Sequence, residues 1–174
     1  MGSFSGFGVR TISASECRYN PMAYHNGSIW PHDNAMIAAG LARYGFRREA
    51  GQIFEGLFAA STYMDLRRLP ELFCGFPRQI GTGPVFYPVA CSPQAWATGA
   101  PLMLIQACLG IDFDARSRRI HFDHPTLPDF VDNITLRGLR IEDGSVDVAF
   151  RRAGANVVME VLARVNDCDV VMTI

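Results

Sequence analysis

The 174-residue sequence contains no lysine, so its 16 basic side chains are all arginine. The sequence also contains 17 acidic residues, so its formal net charge is −1. Nucleic acids and anionic membrane surfaces bind proteins through a basic face, and this charge balance predicts neither partner. The absence of lysine fits a GC-rich genome better than it fits a function.

The sequence also lacks the patterns of metal sites, disulfide frameworks and membrane segments. Its five cysteines form no CxxC motif, so we expect neither zinc nor a disulfide framework, but free thiols in a reducing cytoplasm. The longest apolar run, PLMLIQACLG, is too short to span a bilayer, and the N-terminus MGSFSGFGVR has no signal-peptide core. We therefore expect a cytoplasmic protein with no metal and no cofactor.

Between residue 33 and Gly110 the apolar residues recur with a helical period. DNAMIAAGLARYG predicts one helix with Asp33 or Asn34 as its N-cap, and RREAGQIFEGLFAASTYM predicts a second. SPQAWATGAPLMLIQACLG predicts a third, with Ser92 as N-cap and a proline at the first helical position.

After Gly110 the apolar period falls to two residues, which is typical of strands. Turn residues at 142–144, 153–155 and 166–167 separate five or six short antiparallel strands. We expect a helical region over residues 1–110 and a small antiparallel β module over residues 111–174.

Two long segments of polar and aromatic residues, 6–32 and 67–91, flank the predicted helices, and loops of this length inside a compact domain are often functional. The first leads into YHNGSIWPHDN, which combines the rings of Tyr24 and Trp30 with the polar side chains of His25, His32 and Asp33. A flat ring beside hydrogen-bonding groups suits a sugar. The alternative is a helix-entry loop in which Asp33 caps the helix and Trp30 fills the core.

The second segment contains LPELFCGFPR, in which Glu71 stands among apolar residues. Such a carboxylate can act as a general base on water, whereas the alternative is an exposed loop glutamate. Gln94 and Trp96 open the third predicted helix at the end of the same loop, where Trp96 alone would equally suit the core.

Four motifs in order, SGFGVRTIS, YNPMAYHNGSIWPHDNAMIAAGLARYG, LPELFCGFPR and YPVACSPQAWATGAPLMLIQACLG, resemble the C-terminal catalytic part of bacterial glycogen debranching enzymes of the amylo-α-1,6-glucosidase type. The resemblance covers residues 5–110. It implies the C-terminal portion of an (α/α)6 barrel of the six-hairpin glycosidase clan, which makes the chain mainly α with a C-terminal β module.

The same resemblance implies an inverting mechanism on the α-glucosidic bonds of glycogen or oligosaccharides, with Glu71 as general base. The substrate-binding residues it implies are Tyr24, His25, Trp30, His32, Asp33, Gln94 and Trp96. The family's general acid lies upstream of the first motif, so we expect it to be missing from this chain. Asp33 is the one other carboxylate among the motif residues, although it also suits an N-cap.

Three hypotheses follow from the sequence. The chain is a glycoside hydrolase piece, a non-catalytic carbohydrate-binding module, or a truncated structural fragment. A partial barrel would expose apolar helix faces, so we expect a homo-oligomer or a complex that completes the barrel.

Overall fold

A computed structural model describes residues 2–174, which form two compact units, one ending at Ile105 and the other spanning Gln106–Ile174. The elements are, in chain order, α1 (Pro31–Arg43), α2 (Arg47–Ser61), a 3-10 turn (Asp65–Arg67), α3 (Ala95–Leu109), β1 (Ile111–Asp114), β2 (Arg119–Asp123), β3 (Asn133–Ile141), β4 (Gly144–Ala153), β5 (Asn156–Val165) and β6 (Asp169–Thr173). No helix among residues 2–174 has the length and apolar character needed to cross a membrane.

Helix α1 begins earlier than the sequence predicts. Pro31 occupies the first turn, where the missing N–H of proline costs nothing, and Trp30 is the N-cap residue without a side-chain capping bond. The prediction of Asp33 or Asn34 as N-cap is therefore wrong. Asp33 lies in the first turn instead, where its negative charge complements the helix dipole.

The loops of the first unit are held together by short antiparallel bridges rather than by helices. Isolated bridges join Arg10 to Ile29, Ile29 to Phe73, and Phe73 to Phe86. Ile29 and Phe73 exchange two backbone hydrogen bonds of 2.9 and 3.0 Å, and both side chains are fully buried. The bridges place the residue before Trp30 opposite LPELF, 44 positions later in the sequence.

The second unit contains two three-stranded sheets, ordered β1-β2-β6 and β3-β4-β5. The β3–β4–β5 sheet is an antiparallel meander, and its first hairpin turns at Glu142, where Ile141 pairs with Gly144. In the other sheet β6 runs parallel to β2, unlike the all-antiparallel module predicted. The rings of Phe122 and Phe150 meet at 4.8 Å and are fully buried, which gives this unit its core.

The structure overturns the expected fold class of a mainly α chain built on a partial (α/α)6 barrel. Residues 2–174 form three α-helices and two sheets, and strand residues are as numerous as α-helical ones. The physical reason lies in the segments 2–30 and 68–94, whose proline, glycine and aromatic residues form turns and bridges where a barrel needs paired helices. The expected C-terminal β module is confirmed by the six strands.

Candidate functional site

The predicted site residues converge on an aromatic cluster in the first unit, formed by Tyr24, His25, Trp30, His32, Tyr87 and Trp96. Tyr24 meets Trp30 edge-on at 4.8 Å, and Trp30 meets Trp96 edge-on at 6.4 Å. His32 stacks on Trp96 with ring centroids 4.1 Å apart and an angle of 18°. Side chains from the first loop, the start of α1 and the start of α3 thus touch one another.

The two tryptophans differ in exposure. Trp30 is only 8% exposed, and its indole N–H donates to Ser28 Oγ at 2.9 Å, so it supports the cluster from within. Trp96 is 52% exposed, and His32 covers one of its faces. The ring that offers an open surface to a ligand is therefore Trp96.

Glu71 is the one buried carboxylate in the described part of the chain, at 9% exposure. Its Oε1 accepts the Tyr24 hydroxyl at 2.6 Å, and its Oε2 accepts the Cys91 backbone N–H at 3.3 Å. Its own backbone N–H donates to the Cys91 carbonyl at 2.9 Å. Burying a carboxylate is costly unless hydrogen bonds satisfy it, and these donors do so. Through Tyr24, Glu71 joins the cluster.

The hydrogen bond to Glu71 raises the pKa of Tyr24 to about 12, and partial burial of the phenol adds to the effect. An ionised phenolate would lose this hydrogen bond and lie beside the carboxylate charge. Tyr24 consequently stays protonated and remains a hydrogen-bond donor throughout the neutral range.

His32 and Asp33 form the polar edge of the cluster. His32 Nε2 lies 3.3 Å from Asp33 Oδ1, whereas the buried His32 Nδ1 has no hydrogen-bond partner among residues 2–174. Asp33 and Trp30 also line an open cleft of about 390 Å³ with Arg10, Thr11 and Met36, to which Glu71 does not contribute. The exposed Asp33 carboxylate thus offers hydrogen-bonding capacity beside aromatic rings.

Gln94 is placed differently from the other predicted residues. Its side-chain oxygen accepts the Ala95 N–H at 3.0 Å at the start of α3, and its backbone N–H donates to the Leu69 carbonyl at 3.4 Å. Its contacts thus fix the start of the helix that carries Trp96. Helix α3 begins at Ala95, so the predicted start at Ser92 and Pro93 is wrong.

Sequence reasoning missed Tyr87 and the backbone of Cys91. The ring centroids of Tyr87 and Tyr24 are 5.7 Å apart. Cys91 donates its backbone N–H to Glu71, and a sequence motif does not reveal a main-chain contact of this kind. Tyr87 was within reach of the sequence, because it opens the quoted motif YPVACSPQAW.

Comparison with known proteins gives a match to a family model. Residues 2–70 match the model of the mannosylglycerate hydrolase MGH1-like glycoside hydrolase domain, and no curated protein matches the chain. This part of the chain is similar to a glycoside hydrolase domain. The matched stretch contains Tyr24, His25, Trp30, His32 and Asp33 and stops one residue before Glu71. It supports a glycoside hydrolase relationship, but not the debranching type in particular.

Proposed function

We propose that the first unit is a glycosidase-like site that binds a sugar beside Trp96 and uses Glu71 to activate water. The observation that carries this proposal is the buried Glu71 carboxylate, bonded at 2.6 Å to an aromatic cluster. The family match over residues 2–70 supports the class of reaction.

The sugar-binding role rests on the exposed ring of Trp96 and the exposed carboxylate of Asp33. Sugars present an apolar ring face and a rim of hydroxyls, which aromatic platforms with a few polar groups bind well. The open face of Trp96 provides the platform, while the exposed Asp33 carboxylate is available to hydroxyls. This arrangement suits a neutral oligosaccharide, such as an α-glucan end.

The chemical role of Glu71 is that of a general base. In an inverting hydrolysis, one carboxylate removes a proton from water as it attacks the anomeric carbon, and a carboxylic acid protonates the leaving oxygen. Each Glu71 oxygen uses one acceptor position on the protein and keeps another for water. Held this way, the carboxylate is oriented without being fully occupied.

A second candidate function is carbohydrate binding without hydrolysis. It is favoured by the fact that Glu71 alone among the carboxylates of residues 2–174 is buried, whereas an inverting reaction needs an acid and a base. Asp33, which is exposed and paired with His32, is the other carboxylate at the cluster.

The experiment compares binding and hydrolysis in matched variants. Binding of maltooligosaccharides, a branched dextrin and mannosylglycerate is followed by tryptophan fluorescence, since the chain has only two tryptophans. We expect Glu71→Gln to keep binding and to lower hydrolysis by about 100- to 10,000-fold, the usual contribution of a general base. Glu16→Gln, at an exposed glutamate, is the control.

Trp96→Ala tests the platform, and Leu102→Ala, which removes another exposed apolar side chain of α3, is its control. Because Trp96→Ala removes one of the two fluorescent reporters, these variants are compared by titration calorimetry. We expect Trp96→Ala to abolish saturable binding and Leu102→Ala to retain it. Binding without hydrolysis in the unaltered chain would support the second candidate. Failure of every sugar to bind at millimolar concentration would overturn both.

A further inference from the structure

Both oxygens of Glu71 are held, but by donors of different kinds. Oε1 accepts the side-chain hydroxyl of Tyr24 at 2.6 Å, and Oε2 accepts the main-chain N–H of Cys91 at 3.3 Å. A hydrogen bond to an ionised oxygen is shorter and stronger than one between neutral groups, and the Tyr24 contact has that length. Tyr24 therefore contributes the stronger of the two restraints.

The Tyr24 ring is itself held on several sides. Trp30 meets it edge-on at 4.8 Å, His25 edge-on at 4.7 Å, and Tyr87 at 5.7 Å. Its backbone carbonyl also accepts the Ser28 hydroxyl at 2.6 Å. A tyrosine fixed in this way keeps its hydroxyl in one place, so the carboxylate bonded to it is fixed as well.

We propose that Tyr24 is a positioning residue for Glu71 and not a contact for the sugar. Its one O–H proton is committed to Oε1, so the hydroxyl cannot donate to a ligand at the same time. The rings of His25 and Trp30 also contact its ring and leave it only partly exposed. This inference rests on the proposed function, because it assigns Tyr24 a role in the orientation of the proposed base.

The kinetic test is Tyr24→Phe, which keeps the ring and removes the hydroxyl. We expect kcat to fall by about 10- to 100-fold, because a freed carboxylate no longer holds water in the reactive geometry. We expect KM to change less than twofold, since an interaction with the base does not contribute to ground-state binding. A sugar contact would instead raise KM.

The matched control is Tyr19→Phe. The Tyr19 hydroxyl donates to the Gly75 carbonyl at 2.9 Å, so this variant loses a tyrosine hydrogen bond of the same unit that does not involve Glu71. We expect its kcat and KM to match those of the unaltered chain. Equal losses in both variants would show a general structural effect and overturn the proposal.

A spectroscopic measurement tests whether Tyr24 holds Glu71 without requiring the chain to hydrolyse a sugar. Glutamate labelled with ¹³C at the carboxyl carbon gives few signals, and the Glu71 signal is the one missing in Glu71→Gln. We expect that signal to move in Tyr24→Phe at neutral pH and to stay in place in Tyr19→Phe. If Tyr24→Phe does not fold, 3-fluorotyrosine incorporated into the unaltered chain changes the hydroxyl acidity instead and should move the same signal.

The outcomes distinguish a failure of the Tyr24 proposal from a failure of the proposed function. A lowered kcat, an unchanged KM and a moved Glu71 signal support the proposal. An unmoved signal, or a raised KM with normal kcat, overturns it. If the unaltered chain hydrolyses no sugar, the proposed function fails, and the Glu71 signal alone then decides whether Tyr24 holds the carboxylate.

Discussion

The two units of the chain bury different kinds of side chain. The first unit buries Ser5, Arg10, Ser28, Asn34, Ser61 and Glu71 among its apolar residues. In the second unit no charged residue of the described chain is buried, and pairs such as Arg119–Asp169 and Arg151–Glu160 lie at the surface. Buried polar groups are tolerated only when hydrogen bonds satisfy them. The first unit therefore uses polar contacts to hold its loops, whereas the second relies on regular strand pairing.

This difference supports the proposal of a binding or catalytic site in the first unit. An arrangement of buried, bonded polar groups restricts side chains to single orientations, which a binding or catalytic site needs. The exposed ion pairs of the second unit are screened by water and contribute little individually. The contrast can be tested by removing equivalent groups from each unit.

The largest expected effect is the loss of a fully buried phenylalanine. Phe73 in the first unit and Phe150 in the second are both 0% exposed, so Phe→Ala at either should lower the free energy of unfolding by about 3–5 kcal/mol. Only Phe73→Ala should also change native tryptophan emission, because Phe73 pairs with Ile29 beside Trp30. Urea unfolding measures the change in free energy, and fluorescence of the folded protein measures the change in tryptophan emission. An equal change of emission in Phe150→Ala would contradict the prediction that only the first-unit substitution affects the tryptophans.

The next effect compares two asparagines. Asn34 is 1% exposed; its Oδ1 accepts the Val9 N–H at 2.6 Å, and its Nδ2 donates to the carbonyls of Val9 and Trp30. Asn34→Ala leaves these buried groups unpaired, so we expect a loss of about 2–4 kcal/mol in unfolding free energy.

The control for this substitution is Asn166→Ala in the second unit. Asn166 is exposed, and its Nδ2 donates to the Asp143 carbonyl at 2.8 Å, so water can replace the lost bond. Its backbone lies at φ 57°, where alanine is less favourable than asparagine, so we expect a loss of about 1 kcal/mol. Similar losses at the two sites, measured by urea unfolding, would mean that the first unit does not depend on its buried polar bonds.

The sequence predicted the elements of the fold better than their assembly. Three helices and a strand-rich C-terminal module follow from periodicity, and the turn at Glu142 follows from its neighbouring Asp143 and Gly144. The partial barrel that the resemblance implied is wrong, because helix-sized motifs do not reveal how many helices surround them. The parallel pairing of β6 with β2 joins residues 50 positions apart, for which local pattern carries no signal.

The same limit applies to the site. The motifs named Tyr24, Trp30, Glu71 and Trp96, and the structure brings their side chains into one cluster. The sequence alone does not show how deeply a side chain in a loop is buried, so it left open which of the two tryptophans is buried. It also gave no sign that Tyr24 bonds Glu71, since that contact depends on the pairing of Ile29 with Phe73.

The smallest expected effect concerns pH, which should act on the two units at opposite ends of the scale. The Glu71 hydrogen bond raises the pKa of Tyr24 from its ordinary value of 10.0 to about 12, so the stabilisation is complete below pH 10 and is lost as pH rises to 12. The Arg119 hydrogen bond lowers the pKa of Asp169 below its ordinary value of 3.8, so that stabilisation is present above this pH and is lost below it.

Urea midpoints measured against pH for the unaltered chain, Tyr24→Phe and Asp169→Asn test these windows. Between pH 10 and 12 the midpoint of the unaltered chain should fall more steeply than that of Tyr24→Phe, because only the unaltered chain loses the bond to Glu71. Below pH 4 it should fall more steeply than that of Asp169→Asn, which has no carboxylate to protonate. Both groups are partly in contact with water, so these changes should be smaller than those of the phenylalanine and asparagine variants. An alkaline effect of Asp169→Asn as large as that of Tyr24→Phe would contradict the assignment of the alkaline window to the first unit.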